Sequence, residues 1–408
     1  MFSPLRSRRL RRILGAYTIN RLGTVVGVVA LLLAVFDHTH SALAVAALLL
    51  AGQALPAFVV PALVARVEAS PHRGELSGLY FVEAATTAAI AVLLSHFSLT
   101  AIMLLSAIDG TAALSANALL RSELARAARE EFESLAATEP AGIEGDAEEA
   151  DRRANAALNV SFTGTFVIGP ALAGVIVAAA GAATALYVDV CSFLICGALL
   201  LDLRAHIEEA EESSVRARLR SGWRHINEAP SLRGVLLAYA VVLVFLQSAA
   251  PIEVSYAKSS IHAGDRGFGL LLTAWGAGAV LGSIIFARSP RRSLGVMLGI
   301  GGSAIGIAYV GFAAAPSLGP ACIAALVGGV GNGLEVPSSI SLVQHLTPAR
   351  LQGRMMGAVE SLNALGLALG LPLGGMLALV SSPRVAFLVV GVGGAATSIA
   401  FFRIPSSR

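Results

Sequence analysis

The sequence predicts an all-α membrane protein with twelve transmembrane helices, arranged as two pseudo-symmetric six-helix bundles with both termini in the cytoplasm. Composition, the length of the apolar runs and the distribution of basic residues each point to this fold. Hydrophobic residues make up 56% of the chain and charged residues 13%, whereas a soluble domain carries about 25% charged residues. So few charged side chains cannot coat a soluble surface of this size, which indicates a membrane environment.

The number of spans follows from the apolar runs. A hydrocarbon core about 30 Å thick requires roughly 20 apolar residues per helix. Helices are favoured over a barrel because the runs are long and continuous, whereas barrel strands alternate in polarity over about 10 residues. Twelve runs qualify, near residues 13–36, 41–65, 76–95, 98–120, 155–179, 183–203, 232–252, 267–287, 293–314, 317–343, 355–380 and 384–403.

The basic residues predict the orientation. With a cytoplasmic N-terminus, four of the 29 Lys and Arg residues fall outside cytoplasmic segments: Lys258, Arg266 and Arg384 on the outer side, and Arg21 within a span. The other 25 (29 − 4) lie in or beside cytoplasmic segments, as the positive-inside rule requires. The chain is therefore predicted to cross a membrane many times with its N-terminus in the cytoplasm.

Two long cytoplasmic loops carry amphipathic patterns. The first has an apolar stripe at Leu120, Leu124, Ala128, Phe132 and Leu135, and the second at Val215, Leu219, Trp223 and Ile226. Both patterns predict helices lying on the inner leaflet, with a binding site for a regulatory partner as the alternative. The second loop divides the spans six and six. We therefore expect an N-terminal bundle at 1–203, an amphipathic linker at 204–231 and a C-terminal bundle at 232–408.

Weak internal repeats accompany this division. Ser-Pro-His-Arg at 70–73 follows the second run, and Ser-Pro-Arg-Arg at 289–292 follows the eighth. Further stretches carry a family resemblance: Thr-His-Ser-Ala-Leu at 39–43, Gly-Pro-Ala-Leu-Ala-Gly at 169–174, Tyr-Val-Asp at 187–189, Gly-Asn-Gly at 331–333, and Gln344 followed by Pro348, Arg350, 353–354 and 356–357. With these stretches the chain resembles major facilitator superfamily transporters over nearly its whole length, above all the bacterial macrolide-efflux and siderophore-export branch, the transmembrane secretion effectors.

The resemblance implies export by alternating access. Gly169, Pro170 and Gly174 resemble a motif associated with exporters, although small residues also serve plain helix packing. The loop after the second helix departs from the family pattern: Ala65 stands where an Asp is expected, and of the gating motif Arg66 and Arg73 remain. Thr24 likewise follows Gly23 where the family often has an acid, so a proton site in the first helix is not expected.

Arg21 is the most informative polar residue within a span, because an ionisable group inside the membrane costs about 2.5–3.5 kcal/mol or more. Arginine does not discharge in proteins, so it requires an acidic partner, an anionic ligand or a wet cavity. The resemblance implies that the first and fourth helices line a central cavity, so we expect Arg21, beside Asn20, to face Asp109 of the fourth helix there. Protonation of Asp109 would then release Arg21 for substrate; a purely structural ion pair is the alternative.

Further polar residues are candidates for substrate or proton contact. Glu335 and Asn332 lie on one stripe of the tenth helix, and Glu360 lies in the eleventh with the cytoplasmic surface as its other possible environment. Gln53, Gln247 and Trp275 are expected to line a cavity, with packing or interhelical hydrogen bonds as the alternative. Asp189 is expected to be structural, and Glu83 has pairing with Arg73 or a lateral opening as its candidate roles. With aromatic residues at 6%, an aromatic binding cavity is not expected.

These observations predict a secondary active transporter that exports a drug-like molecule, siderophore or metabolite, by proton antiport. No nucleotide-binding or hydrolase motif is present, so we expect no enzyme activity and no cofactor other than a proton gradient. The expected partners are a small-molecule substrate, protons and membrane lipid, without nucleic acid, and the chain is expected to be a monomer without a metal site. Uptake by a symporter or facilitator, and a non-transporting scaffold or receptor, are the alternatives.

Overall fold

The computed structural model describes residues 7–57, 75–138, 147–201, 230–289, 292–348 and 351–399. Within these ranges the regular structure is entirely helical, which confirms the all-α part of the predicted fold class. The twelve α-helices are α1 (Arg8–Thr39), α2 (Ala42–Leu49), α3 (Glu75–Leu93), α4 (Leu99–Thr138), α5 (Ala147–Ala180), α6 (Ala182–Leu199), α7 (Pro230–Ser255), α8 (Gly264–Ala287), α9 (Leu294–Ala314), α10 (Leu318–His345), α11 (Gln352–Val380) and α12 (Pro383–Ser398).

Ten of these helices are long and apolar enough to cross a membrane. The two others lie in shorter apolar segments, Ala42–Ala57 and Pro383–Ser398. Short π-helical turns extend α2 at Leu50–Ala54 and α7 at Tyr256–Ser260. The chain is therefore a multi-pass membrane protein by helix length and composition, while the side on which its termini lie remains a prediction.

Local signals set the helix ends. The Ser41 hydroxyl accepts a hydrogen bond from the Ala44 amide at 3.3 Å and caps the start of α2. Ser382 does the same for Val385 at the start of α12, with Pro383 in the first turn. Both satisfy amides that a helix leaves without partners at its N-terminus. Gly181, at φ 84°, provides the left-handed residue that separates α5 from α6.

The chain divides into two compact units. The first contains Met1–Leu31 and Ala51–Glu209, and the second contains Leu32–Leu50 and Ala210–Arg408. The end of α1 and the start of α2 thus belong to the second unit. The pseudo-symmetric bundles and the boundaries at 203 and 232 remain predictions, and most of the linker lies outside the described residues.

In the first unit, α4 is one continuous helix of 40 residues. Leu120, Leu124 and Ala128 of its apolar stripe are fully or almost fully buried, and they pack with Leu10 and Ile13 of α1 in one apolar core. The prediction that this stripe lies on lipid is therefore wrong. An amphipathic pattern shows only that one face of a helix avoids water. Here the apolar face of α1 covers that face of α4. The second predicted amphipathic segment lies outside the described residues.

An ionic cluster fastens α1 to α4 beside this core. Glu123 is 1% exposed, and its carboxylate lies 2.7 Å from both Arg9 and Arg126. Glu130 pairs with Arg9 at 2.8 Å and also with Arg126. Because each arginine pairs with both acids, the buried carboxylate of Glu123 is well compensated for its loss of water.

In the second unit, glycines allow the helix backbones to approach closely. A Cβ added at Gly374 of α11 would lie 2.7 Å from the carbonyl carbon of Ser248 on α7. Gly366 and Gly370 meet the same helix, at Leu243 and Gln247. Membrane helices gain no hydrophobic energy by leaving lipid for each other, so van der Waals contact between small residues holds them together. These glycines therefore fix the crossing of α7 and α11.

We predict that Gly374→Ala lowers the thermal midpoint of the purified protein in detergent. The new methyl group would force the backbones apart, and overpacking of this kind costs about 1–3 kcal/mol. Gly357→Ala in the same helix is the matched control, since a Cβ there meets nothing within 4 Å. That substitution should keep or raise the midpoint, because alanine favours helix by up to about 1 kcal/mol over glycine. Equal midpoints for the two variants would contradict the close crossing.

Candidate functional site

Arg21 lies on α1 in the first unit and is partly buried. Its guanidinium carbon lies 4.6 Å from the centre of the Phe162 ring on α5. Its Nε, and the side-chain nitrogen of the neighbouring Asn20, are buried and make no hydrogen bond. Among the described residues no carboxylate forms an ion pair with Arg21. A cation–π contact holds the side chain, and two buried donors beside each other remain free for a ligand or water.

The carboxylate of Asp109 on α4 has hydrogen-bond partners other than Arg21. Its carboxylate accepts hydrogen bonds from Thr86 at 2.8 Å and Thr87 at 3.2 Å, both on α3. The predicted Arg21–Asp109 ion pair is therefore wrong. Arg21 turns toward α5 and Asp109 toward α3, and adjacent threonines supply the donors that the arginine was expected to provide. Asp109 is consequently held by neutral groups.

Three acids of the first unit lie near each other. Glu83 of α3 is 2% exposed, with one carboxylate oxygen unpartnered, and it lies within electrostatic range of Asp109 and Asp189. Asp189 of α6 is buried against α1, where a Cβ at Gly23 would lie 2.8 Å from its carboxylate. The Ser192 hydroxyl donates to Asp189 at 3.2 Å. Helix α6 thus brings a carboxylate to the face of α1 on which the sequence has Gly23-Thr24 in place of an acid.

Glu335 is the corresponding buried acid of the second unit. It is 1% exposed, and one of its carboxylate oxygens has no hydrogen-bond partner. Gly301 of α9 packs against the Glu335 backbone, where an added Cβ would lie 2.9 Å from its amide nitrogen. Tyr239 and Tyr309 lie within electrostatic range of its carboxyl group. No basic side chain in the described ranges pairs with it.

The remaining predicted residues are dispersed. Gln53 is exposed on the π-helical turn after α2, and Glu360 is exposed on α11. Gln247 and Asn332 are partly buried, with Gln247 at the crossing of α7 and α11. Their roles stay predictions.

The predicted exporter motif lies on α5. Gly169 packs against α1, where an added Cβ would lie 2.6 Å from Val25. Pro170 and Gly174 are buried on the same helix. Close packing with α1 is thus visible at Gly169, while a role in export stays a prediction. The gating residues Arg66 and Arg73 lie outside the described residues.

Sequence reasoning missed Glu253. The seventh run was assigned to 232–252, but α7 continues through Pro251 to Ser255 and places Glu253 inside the helix. Glu253 lines a cavity together with Tyr256, Phe268, Trp275 and Phe312. A low average aromatic content therefore does not prevent aromatic residues from clustering beside an acid, while the expectation that the binding cavity is not aromatic stays a prediction. An acid at the end of an apolar run, two residues after a proline, was the available signal.

Metal binding has no support among the described residues, where no group of three or more His, Cys, Asp or Glu could hold an ion. Asp37 instead forms an ion pair with Lys258, with oxygen–nitrogen distances of 2.7 and 2.9 Å. Lys258 also pairs with Asp265 at the start of α8. This cluster is a structural fastening within the second unit.

Comparison with known proteins identifies relatives of the chain. Residues 135–407, two thirds of its length, match the family described as transmembrane secretion effector. The chain is 29% identical over 237 residues to an uncharacterized MFS-type transporter, YfiS, of Bacillus subtilis, a match that covers 55% of this chain and 57% of YfiS. It is 24% identical over 267 residues to the multidrug efflux pump Tap of Mycobacterium bovis, covering 63% of this chain and 62% of Tap. The matches thus span about three fifths of these relatives.

The fold is also found among solved structures. A point mutant of the nucleoside transporter NupG superimposes with a TM-score of 0.76 and 12% sequence identity, covering 96% of this chain and 98% of NupG. At this identity the likeness concerns the fold alone.

We predict that Glu123→Gln destabilises the protein more than Asp109→Asn. Loss of the Glu123 charge leaves Arg9 and Arg126 without their buried partner, at a cost of about 1–3 kcal/mol, because both arginines are about one third exposed and partly screened. In Asp109→Asn the amide oxygen still accepts from Thr86 and Thr87, so the cost should stay below about 1 kcal/mol. Thermal midpoints in detergent measure both changes. A larger loss in Asp109→Asn would show that the Asp109 charge is paired after all.

Proposed function

The chain belongs to the transmembrane secretion effector family of the major facilitator superfamily, and from that premise we propose that it is a secondary active exporter. It carries a small amphipathic molecule out of the bacterial cell across the inner membrane, in exchange for protons. The efflux activity of its relative Tap supports the direction. Family and fold are those of transporters, not enzymes.

The observation that carries this proposal is the buried, unpaired carboxyl group of Glu335. A charged acid inside a membrane segment is costly, and a structural acid would be expected to have a basic partner. Glu335 has none in the described part of the chain, and Asp109 is held only by threonine hydroxyls. Such groups can exist as neutral acids or as carboxylates, and a transporter can use that difference to couple protons to a substrate.

In the proposed cycle, Asp109 and Glu335 take up protons when the transport pathway opens to the outside and release them when it opens to the cytoplasm. Release leaves carboxylates that favour binding of the next substrate. Arg21 and Asn20, with their free donors, would hold a polar or anionic group of the substrate. Alternating access exposes the pathway to one side at a time. The chain is proposed to act as a monomer, with membrane lipid around it.

Two alternatives keep specific support. Uptake by symport would use the same acids with the opposite direction of substrate movement. A scaffold or receptor is favoured by the departure at Ala65, where the family pattern has an Asp. It is disfavoured by Asp109 and Glu335, because a scaffold gains nothing from acids buried without a cation.

We predict that substrate addition releases protons from inside-out membrane vesicles with a respiration-driven acidic lumen. A dye that reports the lumenal pH gives the measurement, and a panel of amphipathic cations, siderophore-like anions and neutral drugs supplies the substrate. Glu335→Gln and Asp109→Asn should abolish the release, because neither amide can carry a proton. Glu133→Gln, which neutralises an exposed acid of α4, should leave it unchanged.

The outcomes separate the candidates. Proton release that survives both substitutions would leave an exporter whose protons use other groups. Substrate accumulation in the lumen without any proton signal would indicate uncoupled transport. Proton movement into the cytoplasm-facing medium only when substrate is preloaded in the lumen would indicate symport. No movement of any compound by well-folded protein would favour the scaffold.

A further inference from the structure

The first unit holds a guanidinium group deep in a membrane-spanning helix without a counter-ion. Arg21 follows Arg8, the first residue of α1, by 13 residues (21 − 8). At 1.5 Å per residue this separation is about 20 Å along the helix axis. A cation at such depth is costly in hydrocarbon, and arginine does not lose its proton in proteins. The charge of Arg21 therefore requires compensation from outside its own helix.

The side chains around Arg21 do not supply that compensation. The ionisable groups that act most strongly on it are Tyr17, on its own helix, and Arg121, on α4. Arg121 is exposed and donates to the side-chain oxygen of Asn117 at 3.2 Å. In the described part of the chain no acid pairs with either arginine. Two like charges within electrostatic range of each other, without an acid, make a region that attracts anions.

The unsatisfied polar atoms beside Arg21 are all donors. The Nε of Arg21 and the side-chain nitrogen of Asn20 are buried and make no hydrogen bond. The nearby Thr18 hydroxyl is already used, since it contacts the Leu14 carbonyl oxygen and the Ser161 hydroxyl on α5. A buried donor without an acceptor costs free energy. The group that satisfies donors alone is an acceptor-only group, and an ionised carboxylate is such a group.

An aromatic surface lies next to these donors. The ring centre of Phe162 is 4.6 Å from the guanidinium carbon of Arg21, and 39% of this residue is exposed. Phe166, one turn later on α5, stacks with Phe162 at a centre-to-centre distance of 6.2 Å and an angle of 7°. The cation–π contact holds the guanidinium in one orientation. The exposed part of the Phe162 ring offers an apolar surface beside the donors.

We propose that Arg21 and Asn20 bind the carboxylate of an amphipathic organic anion, whose apolar part lies on Phe162. Arg121 adds positive potential to the same region. The planar fork of arginine matches the two oxygens of a carboxylate. One deep guanidinium compensates one negative charge, so a monoanion is favoured over a phosphate dianion. This site names the substrate class, and its role in transport rests on the proposed export function.

The test compares a carboxylate with a neutral molecule of the same shape. 2-Naphthoate carries one carboxylate on a flat apolar ring, and 2-naphthamide replaces that group by an uncharged amide. Each is titrated at neutral pH into the full chain in nonionic detergent, and isothermal titration calorimetry measures binding against detergent alone. Carboxylic acids titrate near pH 4, so the naphthoate is ionised throughout. We expect saturable binding of 2-naphthoate and at least tenfold weaker binding of 2-naphthamide.

The protein variants isolate the guanidinium. Arg21→Gln should weaken binding of 2-naphthoate at least tenfold and leave 2-naphthamide unchanged. Arg21→Lys keeps the charge but loses the planar fork, so its affinity should lie between those of the original protein and Arg21→Gln. Arg233→Gln removes an exposed arginine of α7. It makes the same change in net charge and should alter neither ligand.

Stability separates this binding role from a structural one. No acid in the described ranges depends on Arg21, so Arg21→Gln should keep or raise the thermal midpoint without ligand. If that variant does not elute as folded protein on gel filtration, Asn20→Ala replaces it, with a severalfold loss of 2-naphthoate affinity expected. Equal affinity for the two ligands, unchanged 2-naphthoate binding in the folded test variant, or no saturable heat would each overturn the proposal.

These outcomes stay separate from the export test. Binding is measured at equilibrium without a gradient, so it can be read whether or not the vesicles transport anything. Proton release on addition of other compounds, without 2-naphthoate binding, would keep the exporter and remove the anion site. Binding of 2-naphthoate that depends on Arg21, in a protein that moves no compound, would keep the site and remove the export role.

Discussion

The cost of placing a charge in hydrocarbon is the constraint on which the rest of this structure depends. It separates the acids into two groups. Glu123 and Asp37 lie in clusters where arginine or lysine compensates them. Asp109, Glu253 and Glu335 lie within apolar helices without a basic partner in the described ranges. The first group explains how helices are fastened to each other. The second cannot be explained by stability, because an uncompensated acid lowers it.

Close helix packing sets where the uncompensated acids can lie. In the second unit, glycines bring α10 against α8 and α9, and an added Cβ at Gly331 would lie 2.9 Å from the Ile305 amide. A glycine can also leave room for a large aromatic ring of a neighbouring helix. Gly328 provides the room for Trp275. The rings and Glu253 therefore form one wall, fixed by the same contacts between small residues that hold the helices together.

The helices of this structure could be predicted from the sequence, whereas the contacts of individual side chains could not. The twelve apolar runs predicted the twelve helices because run length is a direct consequence of membrane thickness. The direction in which a side chain points was not accessible: Arg21 and Asp109 were assigned to one cavity, but Thr86 and Thr87 take the carboxylate. Glu253 was missed because the seventh apolar run was ended at residue 252, whereas α7 continues through Pro251 to Ser255; neighbouring helices can support a proline inside a membrane helix.

An acid without a counter-ion inside a membrane helix readily takes up a proton. The missing basic partner makes the charged form of Glu335 or Glu253 costly, whereas the protonated acid carries no charge. Glu335 is 1% exposed, so a proton is the species that can reach it. Glu253 lines a space with room for about one water, so a proton or a water molecule is the species that can reach it. Tyr309 lies within electrostatic range of both acids, so a proton gained at one acid changes the electrostatic environment of the other.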